Sequence, residues 1–162
     1  MTNTQRVVDV VDAQILAALS ADPRSTVVSL ALSTGLSRNT VHARLQRLES
    51  DGTLLPFERR IEPARLGFPL TAFIEASVVQ QRLTDIATTL EKIPQVLAVH
   101  GLSGVCDLLI HVVARDADDL YRMAGQILDI EGIEKTTTAL VMRQLVDYRL
   151  APLLDRITDA DG

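Results

Sequence analysis

The hydrophobic positions of the first fifty residues recur at the spacing of three consecutive helices. In the first helix, Val11, Ile15 and Leu19 share one side, as expected for a helix that packs against others. A second, shorter helix covers about residues 26–34, and a third helix follows Ser37, which can cap it. A short second helix, a tight glycine-containing turn and a capped third helix together predict a helix-turn-helix.

The third predicted helix has an apolar side and a side that is small or polar. Val41, Leu45 and Leu48 form the apolar side, which we expect to be buried. The opposite side is small or polar near the N-terminal end, the part of a recognition helix that enters the major groove. The candidate DNA-contacting residues are Ser37, Arg38, Asn39, Thr40, Ala43, Arg44 and Arg47.

The chemistry of these side chains suits DNA. The Asn39 amide can bond to adenine, and Arg38 and Arg47 can donate to guanine or to phosphate. Arg44 lies at the edge of the polar side and suits a phosphate, while small residues such as Ala43 allow close approach to the bases. Any surface helix also has a solvated polar side, so the interpretation depends equally on the three-helix pattern.

The segment after the third helix predicts a connection between two domains. Residues 53–61 fit a short strand with a turn, which would serve as the wing of a winged helix-turn-helix. Arg59 and Arg60 can add phosphate contacts there, or they can be ordinary solvated charges on a connecting strand.

From residue 71 onward the hydrophobic pattern changes to the alternation of strands. Strands are predicted at residues 71–79, 96–102, 107–114 and 133–145, with helices beginning near Thr84 and Asp116. This order predicts a ferredoxin-like βαββαβ sandwich whose second and third strands form a hairpin. The predicted fold class is therefore α+β, with an N-terminal winged helix-turn-helix and a C-terminal ferredoxin-like sandwich.

One face of such a sheet lies away from its two helices. Phe73, Leu109 and Val113 fall on that face and are too apolar to remain in water. A second copy of the chain would bury them, which predicts at least a homodimer.

The pattern also sets domain boundaries. These are a helix-turn-helix domain at residues 1–53, a linker strand at 54–68, a ferredoxin-like domain at 69–147 and a C-terminal tail at 148–162.

Charge and composition support DNA as a partner of the N-terminal part alone. The net charge is −5, yet residues 24–60 carry six arginines against three acidic residues. Residues 61–162 carry nine basic and fifteen acidic side chains, so that part does not suit a polyanion.

The single cysteine, Cys106, excludes an intrachain disulfide and a cysteine-based zinc site. Without a signal peptide or a long uncharged apolar run, the chain is expected to be cytoplasmic, with no membrane partner and no cofactor.

Several spaced motifs follow one another along residues 8–146. They are Asp9-x-x-Asp12-x-x-Ile15-Leu16, Gly35-Leu36-Ser37, Val41-x-x-Arg44-Leu45-x-Arg47-Leu48-Glu49-x-x-Gly52, Glu62-Pro63-x-x-Leu66-Gly67, Gly104-x-x-Asp107 and Gly132-Ile133-x-x-Thr136-x-Thr138. In this order and spacing, they resemble the signature of the Lrp/AsnC (feast/famine) transcriptional regulators.

The resemblance implies a sequence-specific DNA-binding regulator that forms homodimers, often assembled as octamers, and responds to a small effector, commonly an amino acid. Carried over to this chain, the effector pocket includes His100, Ser103, Gly104, Asp107, Thr136 and Thr138. Asp107 can pair with an α-ammonium group directly or can hold the loop, and Gly104 and Asp107 can also serve only to shape the hairpin turn. The family usually has an aromatic residue where this chain has Cys106, which changes the expected pocket.

Two alternatives remain open at this stage. Sirohaem decarboxylases resemble the same two-domain architecture, and Arg59, Arg60 and His100 could serve such chemistry. The three histidines lie far apart in the sequence, however, and no Ser-His-Asp arrangement or phosphate-binding glycine loop is evident. The second alternative is an architectural DNA-binding protein without an effector, because the predicted pocket residues are also hairpin residues.

Overall fold

The computed structural model of the chain describes residues 8–55 and 61–159. These residues form two compact units, one made of residues 8–55 together with 146–159 and the other of residues 61–145. The first unit is helical and the second is built on a β-sheet. The predicted α+β class, with a helix-turn-helix followed by a sheet domain, is confirmed.

Three helices at the start of the chain form the helix-turn-helix. They are α1 (Val10–Ala21), α2 (Val27–Thr34) and α3 (Arg38–Ser50). The side chains of Asp9, Thr26 and Ser37 cap them by accepting hydrogen bonds from backbone N–H groups of the first turns. Gly35 ends α2 in the left-handed conformation, with φ 70°, which favours glycine over other residues.

A small aliphatic core joins these helices. Ile15 of α1, Leu30 of α2 and Val41 of α3 are almost completely buried against one another. Full burial of one such side chain stabilises a fold by about 1.5–3 kcal/mol, so a few aliphatic residues suffice to fix α3 on α1 and α2.

The end of the chain differs from the predicted separate tail. Residues 146–159 belong to the helical unit, where α6 (Ala151–Asp159) packs against α1. From the sequence alone, residues 148–162 were interpreted as a tail and were assigned no partner.

The second unit is a four-stranded sheet with two helices on one side. Its elements are β1 (Leu70–Val78), α4 (Leu83–Glu91), β2 (Val96–Gly101), β3 (Leu108–Ala114), α5 (Ala117–Leu128) and β4 (Ile133–Leu140). The strand order is β2-β3-β1-β4 and every neighbouring pair is antiparallel. This is the predicted ferredoxin-like arrangement, including the hairpin between β2 and β3.

Alternate residues of the central strands fill the core. Ile74 of β1 and Ile110 of β3 are paired on adjacent strands and are completely buried. Ile86 of α4 and Ile127 of α5 are completely buried in the same core. The other face of the sheet, called here the open face, carries the intervening residues of β1 and β3.

The predicted end of the last strand was wrong, and the linker can be compared only in part. Within residues 54–55 and 61–68, Pro63–Leu66 forms a 3-10 turn that Glu62 caps. β4 ends at Leu140 rather than at residue 145, because β1 begins at Leu70 and offers no further partner beyond Thr71. Helix α4 begins at Leu83, one residue before the predicted Thr84; it is preceded by a 3-10 turn and has no side-chain cap. Residues 56–60 of the strand and wing predicted at 53–61, including Arg59 and Arg60, lie outside the described residues, so the linker strand and the wing stay predictions.

Candidate DNA-binding surface and effector groove

The side of α3 that faces away from the helical core carries polar or small side chains. Val41 and Leu48 are completely buried, and the helix turns Asn39, Ala43 and their neighbours to the opposite, exposed side. Ser37 uses its hydroxyl to accept a hydrogen bond from the Thr40 backbone N–H at 3.1 Å, so these two residues fix the start of the helix. Arg38 at the N-terminal end is exposed.

Two residues of this side were missing from the sequence-based set. His42 and Gln46 are both exposed and lie one turn apart, alongside Asn39 and Ala43. Helical spacing from the buried Val41 would have been enough to include them. We call Asn39, His42, Ala43 and Gln46 the reading face.

Arg44 and Arg47 are engaged by α1. Arg44 Nη1 donates to Asp12 Oδ1 at 3.0 Å and also to Asp9, while Arg47 Nη2 donates to Asp12 Oδ2. The Asp12 side chain is completely buried, whereas the side chains of Arg44 and Arg47 are 30% and 44% exposed. A buried carboxylate between two guanidinium groups therefore ties α3 to α1.

This network changes the interpretation of two predicted DNA contacts. The Arg44 guanidinium lowers the pKa of Asp9 to about 2, and its pairing with Asp9 and Asp12 raises the pKa of Arg44 itself. Arg44 and Arg47 thus position the recognition helix, and their contact with DNA stays a prediction. The sequence shows two acids three residues apart, Asp9 and Asp12, and two arginines three residues apart, Arg44 and Arg47. It does not show that the acids and the arginines face each other.

The six predicted effector residues are not brought together within one chain. Thr136 and Thr138 pair with core-facing residues of β1, and so lie on the helix side of the edge strand β4. His100 is on the opposite edge strand, β2, and pairs with Leu109 of the open face. Three interstrand spacings, about 14 Å, separate these edges. Ser103 and Gly104 are exposed in the hairpin between β2 and β3.

Both oxygens of the Asp107 carboxylate hold the end of β1. Oδ2 accepts from the Val78 backbone N–H at 2.8 Å, and Oδ1 accepts from Gln80 Nε2 at 2.6 Å. The Asp107 backbone N–H donates to the Ala76 carbonyl at 2.9 Å. These contacts correspond to the loop-holding role, and a direct contact between Asp107 and an effector ammonium group stays a prediction.

A groove with a volume of about 560 Å³ lies between α5 and β4. Thr136 is the one predicted effector residue in its lining. The other lining residues are Tyr121, Arg122, Ala124, Gly125, Gln126, Leu128 and Asp129. The groove combines a cation, an anion, hydrogen-bonding groups and apolar surface, which suits a small zwitterion. Sequence reasoning missed the α5 residues, because only the fold places that helix beside β4.

The open face carries an aromatic pair and a protected thiol. The rings of Phe73 and His111 stack with centroids 4.7 Å apart, and burial lowers the pKa of His111, with a further contribution from His100. Cys106 is half-buried, with Sγ 3.6 Å from Glu75 Oε2. Burial and the Glu75 carboxylate raise the pKa of the Cys106 thiol, so it is neutral rather than a reactive thiolate.

Both units match known domains. The AsnC-type helix-turn-helix domain matches residues 8–49, and the Lrp/AsnC ligand binding domain matches residues 71–151. The chain belongs to the Lrp/AsnC family. A curated Lrp/AsnC relative, the HTH-type transcriptional regulator AldR of Mycolicibacterium smegmatis, is 33% identical over 144 residues, covering 86% of this chain and 84% of its own.

Two solved structures of Lrp/AsnC-type proteins are similar to this chain and contain an amino acid. A transcriptional regulator of Neisseria meningitidis in complex with L-methionine has a TM-score of 0.79 at 25% identity, covering 86% of this chain and 93% of its own. A feast or famine regulatory protein of M. tuberculosis, complexed with L-methionine, has a TM-score of 0.78 at 26% identity, covering 86% of this chain and 95% of its own.

These findings establish a transcriptional regulator of the Lrp/AsnC type with a ligand-binding domain, and not an enzyme. The alternative of a sirohaem decarboxylase-like enzyme is therefore not retained. None of the helices within residues 8–55 and 61–159 has the length and apolar character needed to cross a membrane. The same residues contain no cluster of three or more histidine, cysteine or acidic side chains placed to hold a metal ion.

Proposed function

We propose that this Lrp/AsnC regulator reads specific DNA sequences with the reading face of α3, and that an amino acid alters this binding. The observation that carries the proposal is that different residues of α3 contact α1 and remain exposed to solvent. Two of its arginines hold α1, while Asn39, His42, Ala43 and Gln46 remain exposed on one side. Amides, an imidazole and a small side chain can read base edges and allow close approach to them.

The first experiment is a fluorescence-anisotropy titration against the DNA upstream of the protein's own gene, at two salt concentrations and with unrelated DNA as a control. Asn39→Ala should relax the preference at one base position, at a cost of about 1–3 kcal/mol. Gln81→Ala removes an exposed amide from the sheet unit and is the matched control. Equal binding of the wild type to both DNAs would contradict sequence-specific reading.

The groove between α5 and β4 is our candidate for the effector site. Arg122 can pair with a carboxylate and Asp129 with an ammonium group, while Tyr121 and Leu128 supply apolar surface for a side chain. Thr136 can donate or accept a hydrogen bond at the β4 wall. Thr138 lies on the same side of β4, two residues from Thr136. His100, Ser103 and Gly104 stay in the proposal as residues that a second copy of the chain would have to bring near.

Calorimetric titration with single amino acids tests this site, with L-methionine first because two similar structures contain it. Arg122→Ala should lower the affinity of the bound amino acid at least about tenfold, because a charge-assisted hydrogen bond is lost. Arg156→Ala removes an exposed arginine from α6 and is the control. Specific DNA binding that no amino acid alters would favour an architectural role without an effector.

We also propose that the open face joins two chains into a homodimer, and that dimers can assemble to an octamer. Phe73 and Leu109 are only half-buried in the single chain, and a second copy would cover them. Light scattering should show Leu109→Glu as a monomer, whereas Leu66→Glu, at an exposed position, should assemble like the wild type. A regulator acting on DNA in this way would reside in the cytoplasm.

A further inference from the structure

Helix α1 has two apolar sides, and only one of them faces α2 and α3. Ile15 is completely buried in the cluster with α2 and α3. Ala13 is also completely buried, although two residues of an α-helix turn its side chain about 160° away from that of Ile15. Ala17, one turn later on the Ala13 side, is half-buried. A helix that is apolar on opposite sides needs a second neighbour.

The second neighbour is α6, from the far end of the chain. α6 packs against α1 within the helical unit. Its residues divide into a less exposed side, with Leu154 and Ile157 half-buried, and an exposed side that includes Asp155 and Arg156. Their three-residue spacing puts Leu154 and Ile157 on one side of α6, as packing against a neighbouring helix requires.

The helical unit is therefore discontinuous in sequence. The chain leaves it after the first three helices, forms the whole sheet unit, and returns at Val146. Only residues 141–145 separate the end of β4 from this return. β4 also provides Thr136 to the groove beside α5. The last strand of the ligand-binding domain is thus followed, after residues 141–150, by a helix that packs against α1.

We propose that α6 is a coupling strap, which holds α1 in place and makes DNA binding by α3 depend on the chain that follows β4. This inference rests on the DNA-binding function proposed above. α1 in turn holds α3 through the buried Asp12 carboxylate and its two arginine partners. Loosening α6 frees one side of α1, and the displacement of α1 reaches the reading face through that network.

The test compares two adjacent leucines in the full-length protein. Leu154→Asp places a charge on the half-buried side of α6, whereas Leu153→Asp places the same charge at a side chain that is 57% exposed. Amide hydrogen exchange should be at least about tenfold faster in α1 of the Leu154→Asp protein, with the sheet strands unchanged. Its affinity for the DNA upstream of its own gene should fall by about tenfold or more, and Leu153→Asp should stay within about twofold of the wild type for both quantities.

Each outcome separates the strap from a passive helix. Unchanged exchange in α1 of Leu154→Asp would overturn the proposal. Faster exchange with DNA affinity equal to that of Leu153→Asp would also overturn it, since α6 would then be structural only. Leu154→Met should restore both readouts, because it keeps the volume and apolar character of the side chain. If the wild type itself shows no preference for its upstream DNA, the proposed function fails. The hydrogen-exchange measurement in α1 then still decides whether α6 supports α1.

Discussion

The buried carboxylate of Asp12 offers a direct test of how the recognition helix is held. Asp12→Ala removes an acceptor that is completely buried and that bonds to Arg44, Arg47 and the Asp9 backbone N–H. Removing one partner of a buried ion pair costs about 3–5 kcal/mol, because the other charge loses its compensation. Both guanidinium groups keep partial exposure and Arg44 keeps Asp9, so we expect the lower end, about 3 kcal/mol.

Amide hydrogen exchange is the suitable assay, because it distinguishes the helical unit from the sheet unit and the chain has no tryptophan to report on either. A loss of about 3 kcal/mol corresponds to roughly hundredfold faster exchange at the protected amides of α1 and α3. Glu49→Ala, which removes an exposed acid from α3, is the charge-matched control and should change stability by no more than about 0.5 kcal/mol.

A result in which Asp12→Ala exchanges as slowly as Glu49→Ala would refute the reasoning. A double-mutant cycle of Asp12→Ala with Arg47→Ala then locates the interaction. Because the two side chains are in contact, we expect their effects to be non-additive by about 1 kcal/mol or more. Additive effects would mean that Arg47 does not contribute to holding α1.

The remaining predictions concern the turn before β4, acid stability and salt dependence. Gly132→Ala should destabilise the sheet unit by about 1–3 kcal/mol in chemical denaturation, because φ is 98° and a Cβ would lie 2.8 Å from Arg82 Cβ; Gly125→Ala, in open space on α5, should be neutral or slightly stabilising. The pKa of Asp9 is lowered from 3.8 to about 2, so its contribution to stability is present above pH 3.8 and is lost as the pH falls through about 2; Asp9→Asn should flatten this part of the exchange-versus-pH profile of α1. Arg38→Ala should reduce the salt slope of DNA binding by about one, and an unchanged slope would remove Arg38 from the interface.

Local signals in the sequence were sufficient for much of the fold. Ser37 was recognised as an N-cap and Asp116 as the start of a helix, because a capping side chain acts within one helical turn. The alternation of β1 and β3 likewise predicted which residues face the core, since side chains on a strand point to opposite faces in turn. These features depend on neighbours that are close in the sequence.

Features that depend on distant partners could not be predicted in the same way. Arg44 lies thirty-two positions from Asp12, and nothing in the helical pattern of either segment shows that they meet. The side of the sheet on which His100 lies follows from the pairing register, which includes a shift between Val96 and Ala98. The docking of α6 on α1 joins the two ends of the chain, and the apolar residues on both sides of α1 were its only sign.

The pairing of arginines with acids also changes how the charge of the N-terminal part should be understood. Residues 24–60 carry an excess of arginine, which by itself indicates attraction to a polyanion. Two of these arginines are occupied by Asp9 and Asp12, which lie outside that stretch of sequence but in the same unit. Their positive charge is therefore largely balanced internally, and it orients α3 instead of adding to non-specific attraction. Under the proposed function, sequence preference depends on how firmly α1 holds α3, and the proposed strap α6 acts on α1 from its other side.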